Sequence, residues 1–169
     1  MADPDVRIRP AVAADFQQIL TLNAESVHFL SPLDDERLTH LHSQAAYHRV
    51  ATIDDCVVAF LLAFCQGADY DSPNYRWFAE RYAAFLYVDR VVVSPERQGN
   101  GLGARLYGDL FAFARQHRLD PVACEFDVLP PNETSRHFHA AFGFVEVGSQ
   151  WVNGGNKQVS LQVAKLGIA

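Results

Sequence analysis

Val91-Val92-Val93-Ser94-Pro95-Glu96-Arg97-Gln98-Gly99-Asn100-Gly101-Leu102-Gly103-Ala104 is an apolar, β-branched run that stops, turns and restarts. Val91, Val92 and Val93 favour extended backbone, Ser94-Pro95 ends it, and Leu102, Leu106, Leu110 and Phe113 recur at helical spacing. The order is strand, turn, helix. Gly99, Gly101 and Gly103 at the joint lack a Cβ, so the backbone there can take φ > 0 and let a ligand approach its N–H groups. The first turn of the helix, opening at Leu102 and Ala104, adds N–H groups without intrahelical partners and the positive end of the helix dipole. Arg97 and Arg105 bring mobile positive charge, and Gln98 an amide donor. The whole turn, Asn100 included, is predicted to cradle a phosphate.

A second ligand class fits part of the pattern. Gly99-x-Gly101-x-x-Ala104 satisfies the dinucleotide fingerprint, and Glu125 falls roughly 20 residues on, where a ribose-binding acid would stand in a nicotinamide-dependent dehydrogenase. Against it, Ser94 to Gln98 separate the strand from the first glycine, and no βαβ alternation leads into the motif.

Gln98-x-x-Gly101-x-Gly103, preceded by the valine strand and Pro95-Glu96-Arg97, resembles the acetyl-CoA pyrophosphate loop of the GNAT superfamily of N-acetyltransferases. Asn132-Glu-Thr-Ser135-Arg-His-Phe138-His139-Ala-Ala-Phe142-Gly143-Phe144 is similar to that family's second signature, and Arg7-Ile8-Arg9-Pro10-Ala11 to its opening strand and turn. The resemblance implies an α/β (α+β) GNAT fold: one domain over residues 1–169, built on a central mixed, mostly antiparallel twisted sheet of six to seven strands. That sheet would be splayed between strands four and five, with helices on both faces. It implies acetyl-CoA as cofactor and direct transfer of acetyl from the thioester to an amine in a ternary complex.

Site residues follow from the same likeness. Val91, Val92 and Val93 would hold the pantetheine arm, Arg97 to Ala104 the diphosphate, and Asn132, Ser135, Phe138 and His139 further parts of coenzyme A. His139 stands four residues before Gly143, where the family commonly has a tyrosine that protonates the departing thiolate. An imidazole can donate that proton, its ordinary pKa being about 6.5, or it can fill the tyrosine's space while solvent does the work. Asp89 is the carboxylate best placed to act as base; the alternative is an ion pair with Arg90. Asn23, His28 and Ser31 become candidate substrate contacts on the helix-loop-helix at the acceptor side, and Glu125 and Asp127 on the strand after Pro121 could face the amine.

The stretch from Gln66 to Tyr82 is long, aromatic and charged, and such segments are usually functional or contain a short helix. Asp69 and Asp71 with Tyr70, Tyr75 and Trp77 could hold a cationic amine by charge and cation–π contact. Otherwise the segment is a lid-like loop packing its aromatics on the domain, or on a second subunit of a homodimer.

Composition bounds the rest. The chain has 169 residues, 49% of them hydrophobic, enough for a substantial core, and a net charge of −6 that argues against general nucleic-acid binding. The resemblance implies a small-molecule or peptide amine as acceptor. Cys56, Cys65 and Cys124 are isolated in apolar runs without metal-ligand spacing, so buried reduced thiols are expected, and a reducing, cytoplasmic setting with them. No stretch approaches the roughly 20 apolar residues of a membrane helix, and His40, His42 and His48 lack the spacing of a metal-binding helix, so neither membrane nor metal is expected. A coenzyme A-binding sensor or interaction module with weak or no chemistry would share every cofactor-loop feature.

Overall fold

The computed structural model describes residues 5–26 and 30–168. His28, one of the expected substrate contacts, lies outside them. The elements in chain order are β1 (Arg7–Pro10), α1 (Phe16–Glu25), α2 (Asp35–Gln44), β2 (Tyr47–Ile53), β3 (Cys56–Cys65) and α3 (Pro73–Ala79). They continue as β4 (Leu86–Val93), α4 (Leu102–Gln116), β5 (Val122–Leu129), α5 (Glu133–Ala141), β6 (Val145–Val152) and β7 (Lys157–Ala164). The seven strands follow the order β1-β2-β3-β4-β5-β7-β6. The ladders between β1 and β2, β2 and β3, β5 and β7, and β6 and β7 are antiparallel. The β4–β5 ladder is parallel and covers only Leu86 with Val122 and Tyr87 with Ala123, so the sheet is splayed there, as expected.

Two compact units are interleaved along the chain, Met1–Phe64 with Asp89–Ala112, and Cys65–Val88 with Phe113–Ala169. In the first, β2 and β3 form a hairpin whose turn residues Asp54 and Asp55 take φ of 50° and 63°. Such left-handed pairs match the twist of the strands they join. Successive strand side chains point to opposite faces. Hence His48 and Val50 meet α1 and α2, where Phe16, Ile19, Leu38, Val50, Val57, Phe60 and Val92 make one buried cluster. Tyr47 and Arg49 on the other face reach Asp109 of α4, at 2.7 and 2.9 Å. Asp34 caps α2 by accepting from the Arg37 N–H at 2.7 Å, as its position before the helix implies.

In the second unit, α3 packs Tyr75 and Phe78 against Phe85 and Tyr87. Gln150 opposes Val159, which opposes Asp127, and Gln150 donates to Asn74 of α3, so this row of the sheet faces α3. Phe126 belongs to the alternate row and stacks on His139 of α5. Both faces of β7 are thereby covered. Its polar residues Ser160 and Gln162 are buried although the alternation predicts one packed face; Gln162 donates to Ser160, which donates to Glu146. Insertion of β7 between β5 and β6 is the cause.

One further expectation needs correction. Cys56 is exposed, because it opens β3 directly after the hairpin turn; Cys65 is half-buried at the far end of that strand and Cys124 is buried, its thiol pushed up by burial. Among the described residues no helix is long and apolar enough to cross a membrane, and no cluster of three or more His, Cys, Asp or Glu could hold a metal ion.

His48 sets a pH limit on the first unit. Its Nδ1 lies 2.8 Å from that of His42, its Nε2 is buried with no hydrogen-bond partner among the described residues, and Phe16 and Phe60 pack around its ring. Burial, then the neighbouring His42, push its pKa down to about 4, with Asp15 opposing weakly. The unfolded chain therefore takes up a proton near pH 6.5 that the folded state refuses until about pH 4. Stability contributed by neutral His48 is complete above the unfolded value and declines as pH falls through this window, by about 1.4 kcal/mol per pH unit. Between pH 7 and 5 the thermal midpoint should drop by roughly 4–8 °C, and His48→Phe should remove most of that drop. Equal pH slopes in the two proteins would contradict the assignment.

Candidate functional site

In the first unit β4 leads into the glycine turn. The Ser94 N–H donates to the Val58 carbonyl at 2.8 Å, fixing the strand end, and Pro95–Arg97 forms a single 3-10 turn. Gly99 and Gly101 take φ of 81° and 76°, the left-handed region that side chains with a Cβ avoid. A Cβ built at either would meet nothing within 4 Å. The open space beside them is ground a ligand can occupy. Residues from Pro95 to Gly101 are exposed, and α4 starts at Leu102 with the Arg105 N–H bonded to the Gly101 carbonyl at 3.0 Å. Leu102 is buried and holds the helix start in place.

Gln98 and Asn100 do a different job from the one their side chains suggest. Gln98 Nε2 donates to the Val93 carbonyl and Asn100 Nδ2 to the Arg97 carbonyl, both at 3.3 Å, so each side chain pins the turn to itself. Their amide groups are thereby occupied within the turn, and Arg97 and Arg105 lie beside it in sequence.

Four residues earlier in the same unit lies a buried ionic group. Arg90 Nε donates to Asp89 Oδ2 at 2.6 Å, with the two side chains only 3% and 6% exposed. Arg90 Nη1 donates to Asn23 Oδ1 at 2.9 Å and to the Ser31 carbonyl at 3.0 Å. Asn23 Nδ2 completes the figure by donating to the same carbonyl at 3.2 Å. Asp89 and Asn23, expected as base and substrate contact, are thus gathered around a guanidinium.

The second unit carries the remaining expected residues. Asn132 caps α5, accepting from the Ser135 N–H at 3.2 Å, while its own N–H donates to the Asp127 carbonyl at 3.0 Å. His139 is 5% exposed, boxed by Phe126, Phe138 and Phe144. Its Nδ1 lies 2.7 Å from the Ser135 carbonyl, which can only accept, so the proton sits on Nδ1 and Nε2 carries a lone pair. Burial lowers its pKa, with the Ser135 carbonyl pulling weakly the other way.

The aromatic segment forms α3. Tyr75 is buried; its hydroxyl donates to the Cys65 carbonyl at 2.7 Å and accepts from the Ala68 N–H at 3.0 Å, and its ring stacks on Tyr70. Trp77 lies against Gly148 so closely that a Cβ there would come within 2.5 Å of its ring. Arg81 lies 4.0 Å from its ring centroid, so an internal cation already uses the indole. Asp69 and Asp71 are exposed. Glu125 and Asp127 fall on the α3 row of the sheet, and Asp127 pairs with Lys157 at 3.1 Å. Sequence reading passed over Lys157 and Arg81, whose partners are distant in sequence or share a helix surface. It named the Asp89–Arg90 pair, for which an arginine inside an otherwise apolar strand is the visible signal.

A nitrogen-detected NMR titration should show His139 as the Nδ1–H tautomer at neutral pH, with a midpoint below 6.5. A midpoint at or above that value, or an Nε2–H tautomer, would contradict this geometry.

The model for the acetyltransferase (GNAT) family matches residues 13–144. No curated protein matches the sequence. Among solved structures, the ribosomal-protein-S18-alanine N-acetyltransferase from Escherichia coli superposes with a TM-score of 0.73 at 12% identity, over 97% of this chain and 96% of that one. A putative acetyltransferase from Salmonella typhimurium, yncA, solved with its cofactor acetyl-CoA, gives 0.74 at 18% identity over 98% and 96%. Arabidopsis thaliana Naa50, in complex with the bisubstrate analogue CoA-Ac-MVNAL, gives 0.71 at 14% over 95% and 99%. With the family model covering most of its length, and a splayed seven-stranded sheet of the same fold, this chain belongs to the GNAT acetyltransferase family.

Proposed function

We propose that the protein is an acetyl-CoA-dependent N-acetyltransferase acting on a small-molecule or peptide amine. The observation that carries the reading is the exposed turn with left-handed Gly99 and Gly101 opening directly onto α4. The main-chain N–H groups of an exposed turn at a helix start suit the diphosphate of coenzyme A, and Arg97 and Arg105 add charge to the same anion. Family membership and the acetyl-CoA of the Salmonella relative agree with that ligand.

In this reading the backbone of Val91 to Val93 aligns the thioester, and the amine attacks its carbonyl directly. The tetrahedral oxyanion is held by main-chain donors, and no covalent acyl-enzyme forms. Glu125 and Asp127 are the carboxylates assigned to the amine, Asp127 with its charge already offset by Lys157. A neutral His139 whose proton is engaged by Ser135 is poorly suited to act as acid, so solvent protonates the departing thiolate.

The same histidine geometry favours one other reading, a coenzyme A-binding module without turnover. Thiol release from acetyl-CoA over a panel of small amines, amino acids and short peptides separates the two. The enzyme reading expects amine-dependent release; tight acetyl-CoA binding with no amine-dependent release would establish the module instead. Gly101→Val should weaken acetyl-CoA binding by roughly tenfold or more while leaving the fold intact, because a Cβ makes the left-handed conformation costly. Unchanged affinity in that variant would remove the glycine turn from the site.

A further inference from the structure

We propose that Arg90 is a positioning residue of the acyl-transfer site, which anchors residues 30–34, the described stretch before α2, at Ser31 through a buried, forked guanidinium. The inference rests on the acetyltransferase reading. A guanidinium removed from water is costly unless it is paired and its donors are used. Here the pairing is with Asp89 at 2.6 Å, and Nη1 reaches two acceptors, Asn23 Oδ1 at 2.9 Å and the Ser31 carbonyl at 3.0 Å. An apolar residue would fill position 90 of this apolar strand without any such cost. What arginine adds is the fork.

The fork has a defined object. The Ser31 carbonyl accepts from both Arg90 and Asn23, so Ser31 is held from a helix and from a strand at once. The next residue on that strand is Val91, the first of the three assigned to the thioester. Through the Arg90 side chain the Ser31 carbonyl stays within one side chain's reach of the strand that carries the valine segment. Asp89 and Arg90 are neighbours on β4, and the length of the arginine side chain lets its Nε turn back to the Asp89 carboxylate at 2.6 Å. Asp89 serves as the counter-charge that orients the fork rather than as the base.

Lysine retains the charge but has no planar fork. Arg90→Lys is the decisive variant and Asn23→Ser a milder one that removes one acceptor. Arg49→Lys, which weakens the Arg49–Asp109 pair of the same unit, controls for loss of an ion pair as such. The measurements are deuterium exchange over residues 30–34, calorimetric affinity for acetyl-CoA, and the KM for an amine found to support turnover. In Arg90→Lys, exchange at 30–34 should accelerate about tenfold and the amine KM rise about tenfold, with acetyl-CoA affinity changed less than about twofold. Asn23→Ser should move both in the same direction, and Arg49→Lys neither. Unchanged exchange at 30–34 in both variants, or an acetyl-CoA affinity that falls as much as the amine KM rises, would overturn the proposal. Should the wild type consume no acetyl-CoA with any amine, the acetyltransferase reading fails separately, and the exchange comparison alone decides whether Arg90 is the anchor.

Discussion

A main chain bent through φ of 81° at Gly99 and 76° at Gly101 is the constraint on which the functional account depends. Left-handed backbone turns successive N–H groups outward, and only a residue without a Cβ adopts it at little cost. The surrounding residues are spent on keeping that shape: Gln98 and Asn100 pin the turn to its own carbonyls, Ser94 ties the strand end to Val58, and buried Leu102 seats the helix. In the proposed function, specificity for an anion rests on this backbone geometry, with arginine charge as reinforcement.

Elsewhere in the first unit, polar groups are buried only in company. Arg90, Asp89 and Asn23 satisfy one another around the Ser31 carbonyl, Asp15 is held by Arg9 and the Val12 N–H, and Tyr47 is bound by Asp109. These groups contribute definition more than raw stability, since each ion removed from water offsets much of its own attraction. His48 is the exception, a buried imidazole with one nitrogen engaged by His42 and the other without a hydrogen bond among the described residues, which stays neutral and makes the fold sensitive to mild acid.

Local signals in the sequence account for what could be read from it. The glycine turn is determined by residues within a few positions of one another and stands where it was expected, and the acidic hairpin turn at Asp54-Asp55, the caps Asp34 and Asn132 and the apolar β3 are set by equally local residues. What escaped depends on pairs brought together from far apart. Arg90 and Asn23 are 67 positions apart, and no local pattern reveals that their side chains meet. Trp77 looks like an open aromatic platform until Gly148 and Arg81 are seen on it, and Ser160 and Gln162 look exposed until β7 is placed inside the sheet. The role of His139 turned on one hydrogen bond, to the carbonyl four residues back, which residue spacing permits but does not require.

The claim that main-chain amides of the glycine turn clasp the cofactor's diphosphate can be tested at those amides themselves. Titration of the nitrogen-15-labelled protein with acetyl-CoA, followed residue by residue, should give its largest amide shifts at Gly99, Gly101, Leu102 and Gly103. Saturation of the protein with those four resonances unmoved would place the diphosphate elsewhere and contradict the account.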